Sequence, residues 1–172
     1  MRVKILSIAM FGASLLASGI SHAQQPNLDA IPDAMPFDVP YGAPISLDRA
    51  GVVINAAVAE AKKRNWKMNV AVVDAGGNLV AFQRMDGSQL ASIQIAEHKA
   101  KAAATFRRET VIFENGIQKA GLNYIMTLDG AIGSRGGIPL IEGGKIIGAV
   151  GCSGGTGSQD EATCKAAAAL IK

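Results

Sequence analysis

The sequence predicts an α+β domain whose helices pack against an antiparallel sheet, and three observations carry that prediction. Two segments read as β-hairpins around Gly-Gly turns, at Ala75-Gly76-Gly77-Asn78 and Glu142-Gly143-Gly144. Apolar stripes at helical spacing precede, separate and follow those hairpins. A hairpin pairs its two strands antiparallel, so the order helix, hairpin, helix, loop region, hairpin, helix excludes a doubly wound parallel fold. The 172 residues suffice for one domain with a sizeable core and are too few for two ordinary ones.

Taken in order, the chain opens with a secretory signal expected over residues 1–23. Met1-Arg2-Val3-Lys4 is a short basic start, and Ile5 to Ile20 is an apolar run. Ser21-His22-Ala23 places small residues where a signal peptidase reads, so cleavage is expected after Ala23. The apolar run is too short and too rich in Gly and Ser for a membrane anchor. Its removal leaves no integral membrane segment, and the expected location is periplasmic or secreted. Residues 24–45 read as a proline-rich arm, because Pro26, Pro32, Pro36, Pro40 and Pro44 block both helix and central strand. Ile31, Met35, Phe37, Val39 and Tyr41 are apolar pegs for an arm that either dangles or lies over a neighbouring subunit.

The domain proper runs from 46 to 172. Ser46 caps a helix with Asp48 in its first turn, where the helix dipole favours acid. Ala50, Val53, Ile54, Ala57, Val58 and Ala61 form its apolar stripe, and Lys62, Lys63 and Arg64 close it. Alternation of Met68, Val70 and Val72 marks a strand through Asp74, and Leu79 to Met85 runs back from the Gly-Gly turn. A second helix spans about Ala91 to Phe106. Ile93, Ala96, Ala100 and Ala103 lie on one side and His98 nearly opposite, with Gln94, Lys101 and Thr105. Lys99 falls at the edge of the apolar stripe, where its stem can snorkel over apolar surface. Thr110 is read as the cap of a short helix, Ile117 to Ala120 as another helical turn, and Tyr124 to Leu128 as a short strand. Asp129 to Gly137 is a glycine-rich loop. Ile138 to Ile141 and Lys145 to Ser153 form the second hairpin, with Cys152 on the face of Ile146 and Val150. Ser158 with Glu161 three residues on reads as the capping box of a last helix, on which Cys164, Ala168 and Ile171 share a face.

Composition narrows the function classes. With 49% hydrophobic and 18% charged residues the chain is globular rather than disordered. Loss of Arg2 and Lys4 with the signal takes the 17 basic residues to 15 against 14 acidic ones, a net charge of +1. That balance, with no basic patch interleaved with aromatics, argues against nucleic acid as a partner. In an oxidising compartment Cys152 and Cys164 either pair or stay as two buried thiols. No Gly-x-Ser-x-Gly elbow is present. Gly154-Gly155-Thr156-Gly157 lacks the Lys-Ser/Thr of a phosphate loop, and Asp160 and Glu161 would repel an anion there. Asp74 and Asp86, joined through the first hairpin, read as turn caps rather than a catalytic acid pair.

A set of motifs carries a family resemblance. Val72-Val73-Asp74-Ala75-Gly76-Gly77-Asn78-Leu79 is followed in order by Arg84-Met85-Asp86-Gly87, by Ala96 and Lys99-Ala100 with Ala103-Ala104, and by Gly136-Gly137-Ile138-Pro139. Gly148-Ala149-Val150-Gly151-Cys152-Ser153-Gly154 and Asp160-Glu161 complete the set. The sequence resembles the GlcG/HbpS type of haem-binding protein over Ser46 to Lys172, with the C-terminal domain of PduO corrinoid adenosyltransferases as a relative. The resemblance implies a profilin-like fold, with a central antiparallel sheet and helices on both faces. It also implies a homo-oligomer, and haem or a related tetrapyrrole as ligand, with cobalamin as the alternative. Some members carry a polar residue between the Gly-Gly and the proline; here that position is Ile138, which offers no iron ligand.

The expected ligand-binding residues are Arg84, His98, Lys99, Arg135, Gly136, Gly137 and Ile138. They would line a cleft between the first hairpin, the His98 helix and the Gly-Gly-Ile-Pro loop. His98 is the only histidine left after signal removal. It is either a solvated surface residue or an axial ligand to haem iron. Arg84, Lys99, Arg107, Arg108 and Arg135 are cations able to hold propionates. One His and two distant Cys do not make a zinc site. The reading favours a binding protein for haem or a related tetrapyrrole, serving uptake, storage or sensing, over an enzyme. The alternatives are corrinoid binding, or an accessory protein or enzyme for a small organic acid, held by Arg135 and the amides of Gly136 and Gly137.

Overall fold

The computed structural model describes residues 30–172. The expected signal peptide and the first residues of the arm lie outside the described residues. The elements are α1 (Leu47–Lys63), β1 (Asn69–Asp74), β2 (Leu79–Arg84), α2 (Ser92–Thr105), α3 (Val111–Gln118), a 3₁₀ turn (Asn123–Thr127), β3 (Gly137–Glu142), β4 (Lys145–Ser153) and α4 (Gly157–Ala168). Among the described residues one sheet forms in the order β2-β1-β4-β3, antiparallel throughout. The predicted α+β class and both hairpins are borne out.

Helices cover both faces. On one face α1 and α4 pack over Val70, Val72, Leu140, Val150 and Cys152. On the other, Ala96, Ala100 and Ala103 of α2 pack over Ala71, Val73 and Ala149. Small side chains let α2 settle very close to the sheet. A Cβ on Gly151 of β4 would fall inside contact distance of Ala96 O and Ala100 N. Backbone atoms cannot swing aside, so Gly151→Ala is expected to cost about 1–3 kcal/mol or more. A lower urea midpoint with an unchanged slope is the outcome to look for.

Cys152 and Cys164 are joined by a disulfide tying β4 to α4, which settles the two readings left open by the sequence. Both residues are fully buried. With a sequence separation of 12, the bridge contributes about 3 kcal/mol in the chain-entropy picture. The face shared with Cys152 differs from the expectation. The β3–β4 register shifts between Leu140 and Ile141, leaving Ile147 opposite no partner. That bulge puts Ile147, not Ile146, in the cluster with Val150 and Cys152, while Ile146 is fully buried outside that cluster.

Other expectations are corrected as well. The arm does not simply dangle or reach for a neighbour: its last part lies on its own domain. Beside β4, where β1 has ended, Ile146 N donates to Pro40 O and Gly42 N donates to Ile146 O, each at 2.8 Å. Tyr41 Oη donates to Thr105 O at 3.0 Å. Ile31 and Met35 remain exposed. Tyr124 to Leu128 is not a strand, because i→i+3 bonds from Ile125 N to Leu122 O and from Leu128 N to Ile125 O close it into a 3₁₀ turn. Only Ile125 of that turn is buried, so there is no alternating face to lay on a sheet. The capping box of α4 sits two residues earlier than expected. Thr156 Oγ1 accepts from Gln159 N, and Gln159 Oε1 accepts from Thr156 N at 2.8 Å. Glu161 is thereby free for ion pairs.

Candidate functional site

The first hairpin and α2 enclose an open cleft of about 360 Å³. Val73, next to last in β1, and Leu79, first in β2, give the cleft apolar walls. His98, Gln94, Glu97 and Lys101 face it from α2. These positions recur at helical spacing, so the outer side of α2 presents them together. Gly77, at φ 82°, makes the turn that closes one end. Asp74 holds that turn, its Oδ1 accepting from Gly76 N at 2.8 Å and Asn78 N at 2.9 Å. Burial would raise the Asp74 carboxyl, but the bonds from Asn78 and Gly76 outweigh it and keep it below its ordinary value. Asp86 follows the far end of β2, so the two acids stand at opposite ends of the hairpin, each at a turn.

The structure does not bring the expected site residues together. His98 alone of the set reaches the cleft between hairpin and helix. Arg84 follows the hairpin to its other end, pairing in register with Asn69, and lines a separate groove with Trp66 and Lys67. Gly136, Gly137 and Ile138 belong to β3 and its approach, on the sheet edge opposite β2. They do not form a loop in the cleft, and Ile138 is buried in the α1/α4 core.

Lys99 does not snorkel. Its side chain is 1% exposed, and Nζ donates to Asp160 Oδ2 at 2.7 Å and Cys152 O at 3.2 Å. Asp160 Oδ1 accepts from Gly155 N at 3.0 Å. One buried pair thus ties α2, the end of β4 and the start of α4. The alanine stripe places Lys99 against the sheet, and Asp160 is the anion that lets its ammonium stay there. Burial pushes the Asp160 carboxyl above its ordinary value, with Lys99 and the amides of Gly155 and Gly154 opposing.

Arg135 is similarly committed. Its Nε lies 2.7 Å from Glu114 Oε1 and its Nη1 3.2 Å from Glu161 Oε2. The Glu114 bond holds its guanidinium above its ordinary value, against the effect of burial. Lys165 extends the network to Glu161 and Glu109 at 2.9 and 3.0 Å. Gly137 N donates to Thr110 Oγ1 at 3.0 Å. Two of the donors expected for a small acid, the Arg135 guanidinium and Gly137 N, are therefore engaged within the protein, which weakens the small-acid alternative. Among the described residues no three His, Cys, Asp or Glu side chains form a metal cluster, and no helix is long and apolar enough to cross a membrane.

Sequence comparison identifies the family. The HbpS-like family, described as haem-degrading protein HbpS-like, matches residues 45–169. The chain belongs to this family. Protein GlcG of Escherichia coli K12 is 41% identical over 109 residues, covering 63% of this chain and 81% of GlcG. A double mutant of Streptomyces reticuli HbpS superposes with a TM-score of 0.70 at 26% identity, covering 86% of this chain and 99% of that one. The complex of PduOC with haem gives a TM-score of 0.68 at 26% identity, covering 76% and 96%. These HbpS-like relatives point to haem-related binding and lend no support to cobalamin. Within the HbpS-like fold seen here, the sequence reading missed Val73, Leu79, Gly77, Glu97 and Gly130 as lining. The signal for Gln94 and Lys101 was their place beside His98 on the outer side of α2.

Proposed function

We propose that the chain is an exported haem-binding protein that seats the macrocycle in the cleft between the first hairpin and α2, with His98 as iron ligand. The observation that carries this reading is His98 itself. It is the only histidine downstream of the expected cleavage site, and it is exposed on the wall of a cleft with Val73 and Leu79 opposite. An imidazole beside apolar walls matches a flat hydrophobic macrocycle with a central metal. Val73 and Leu79 would exclude water from one ring face. Lys101, one turn beyond His98, would hold a propionate, while Glu97 would turn the acidic edge away from itself. Bound haem would supply a redox-active iron; the protein supplies orientation and partial desolvation.

Export is supported by the signal-like start and by the Cys152–Cys164 disulfide, a bond that persists in oxidising compartments. Because the cleft is open, a second copy covering the outer ring face would complete the site, consistent with a homo-oligomer. The role that fits is uptake, storage or sensing of haem. Titrating haem into the purified protein should give a shifted Soret band saturating at about one haem per chain. No spectral response at near-stoichiometric haem would refute the proposal.

A further inference from the structure

A second cavity, of about 390 Å³, lies under α3 and the 3₁₀ turn and shares no lining residue with the His98 cleft. That volume is within the range of small-molecule sites, roughly 300–1,000 Å³. Phe106, Phe113, Ile125 and Leu128 give it apolar walls, and Phe106 and Phe113 meet edge to face with centroids 5.1 Å apart. Phe37 of the arm forms an outer wall.

One charged group lines this cavity. Arg108 is half-buried, and its Nε donates to Phe106 O at 2.9 Å. Its guanidinium carbon stands 3.4 Å from the centroid of the Phe37 ring and 5.5 Å from that of Phe113. The other half-buried arginines, Arg49, Arg107 and Arg135, each pair with a carboxylate. Among the described residues Arg108 has no such partner. A guanidinium stacked on an aromatic face still presents its edge, which fits a carboxylate with two parallel donors. Removed from water, that pairing is stronger than at the surface. Burial, with Arg107 adding to it, also pulls the Arg108 guanidinium below its ordinary value against the influence of Tyr124, and a bound anion would relieve this.

We infer that this cavity is a second ligand site, for a small aromatic monocarboxylate whose ring sits among Phe37, Phe106 and Phe113 and whose carboxylate pairs with Arg108. The aromatic walls favour a flat ring over an alkyl chain, because offset and edge contacts add to simple burial. Phe37 holds a left-handed backbone, φ 60°, that a bulky residue rarely adopts. Its ring closes the cavity and stacks on the cation at once.

Calorimetry with 2-naphthoate and its neutral amide, 2-naphthamide, on the full chain tests this. Naphthoate should bind at least about tenfold more tightly than the amide. Arg108→Gln should remove that preference while leaving amide binding in place, which also shows that the variant is folded. Haem at saturation should not displace naphthoate. Equal binding of acid and amide by the unmodified protein would overturn the proposal, as would an undiminished preference in Arg108→Gln, displacement by haem, or no naphthoate binding at millimolar concentration.

Discussion

His98→Ala is expected to abolish the Soret shift on haem titration while leaving the fold intact. No other histidine stands downstream of the expected cleavage site, so no second imidazole can take over as ligand. The imidazole is exposed and lines an open cleft, so its truncation removes no core packing. Surface substitutions of this kind usually change stability by no more than about 0.5 kcal/mol. Haem held only by the walls of Val73 and Leu79 would bind weakly, with the spectrum of dissolved haem rather than of a ligated iron. Circular dichroism of the variant should superpose on that of the unmodified protein. A retained, shifted Soret band in His98→Ala would remove this residue from the site, and the search would move to other oxygen or sulfur donors.

Lys99→Met is expected to destabilise the domain by about 3–5 kcal/mol near neutral pH. Methionine fills much of the space of the lysine stem but leaves the Asp160 carboxylate buried without its cation. Asp160 already sits above its ordinary value because of burial, and Lys99 is the largest influence pulling it down. Without Lys99, the folded-state carboxyl rises further above its unfolded value. A carboxyl that binds its proton more tightly when folded stabilises the protein in acid, and that contribution is lost as pH rises through the folded value. The deficit of Lys99→Met should therefore be small near pH ~4, the ordinary range of an aspartic acid, and grow as pH rises toward neutrality. Urea unfolding across that interval measures it. Adding Asp160→Asn should recover much of the loss, since the paired desolvation disappears. A deficit independent of pH and unrelieved by Asp160→Asn would show that Lys99 matters only as filler.

The regular elements were legible in the sequence because their signals are local. The Ala50 to Ala61 stripe, the Met68 to Val72 alternation and the Gly-Gly turns each specify an element without reference to anything distant. The errors fall where distant partners decide. Lys99 reads as a snorkelling residue unless Asp160, 61 positions away, is known to meet it. Tyr124 to Leu128 has strand-like residues, but only Ile125 finds a buried seat. Ile147 enters the core through a bulge that no alternation count reveals. For the candidate cleft, the hairpin and the polar side of α2 were foreseen. The Gly-Gly-Ile-Pro segment was not separable from them, because strand order across a sheet is not written in the strands themselves.

His98 and Lys99 are consecutive on α2, and this adjacency has a mechanical meaning. Successive residues of an α-helix point about 100° apart. With the Lys99 ammonium anchored to Asp160 and Cys152 O, α2 cannot roll about its axis without pulling a cation out of its buried socket. The direction in which the neighbouring imidazole leaves the helix is keyed by that anchor. Whatever the cleft receives must approach along a bearing the core has already chosen.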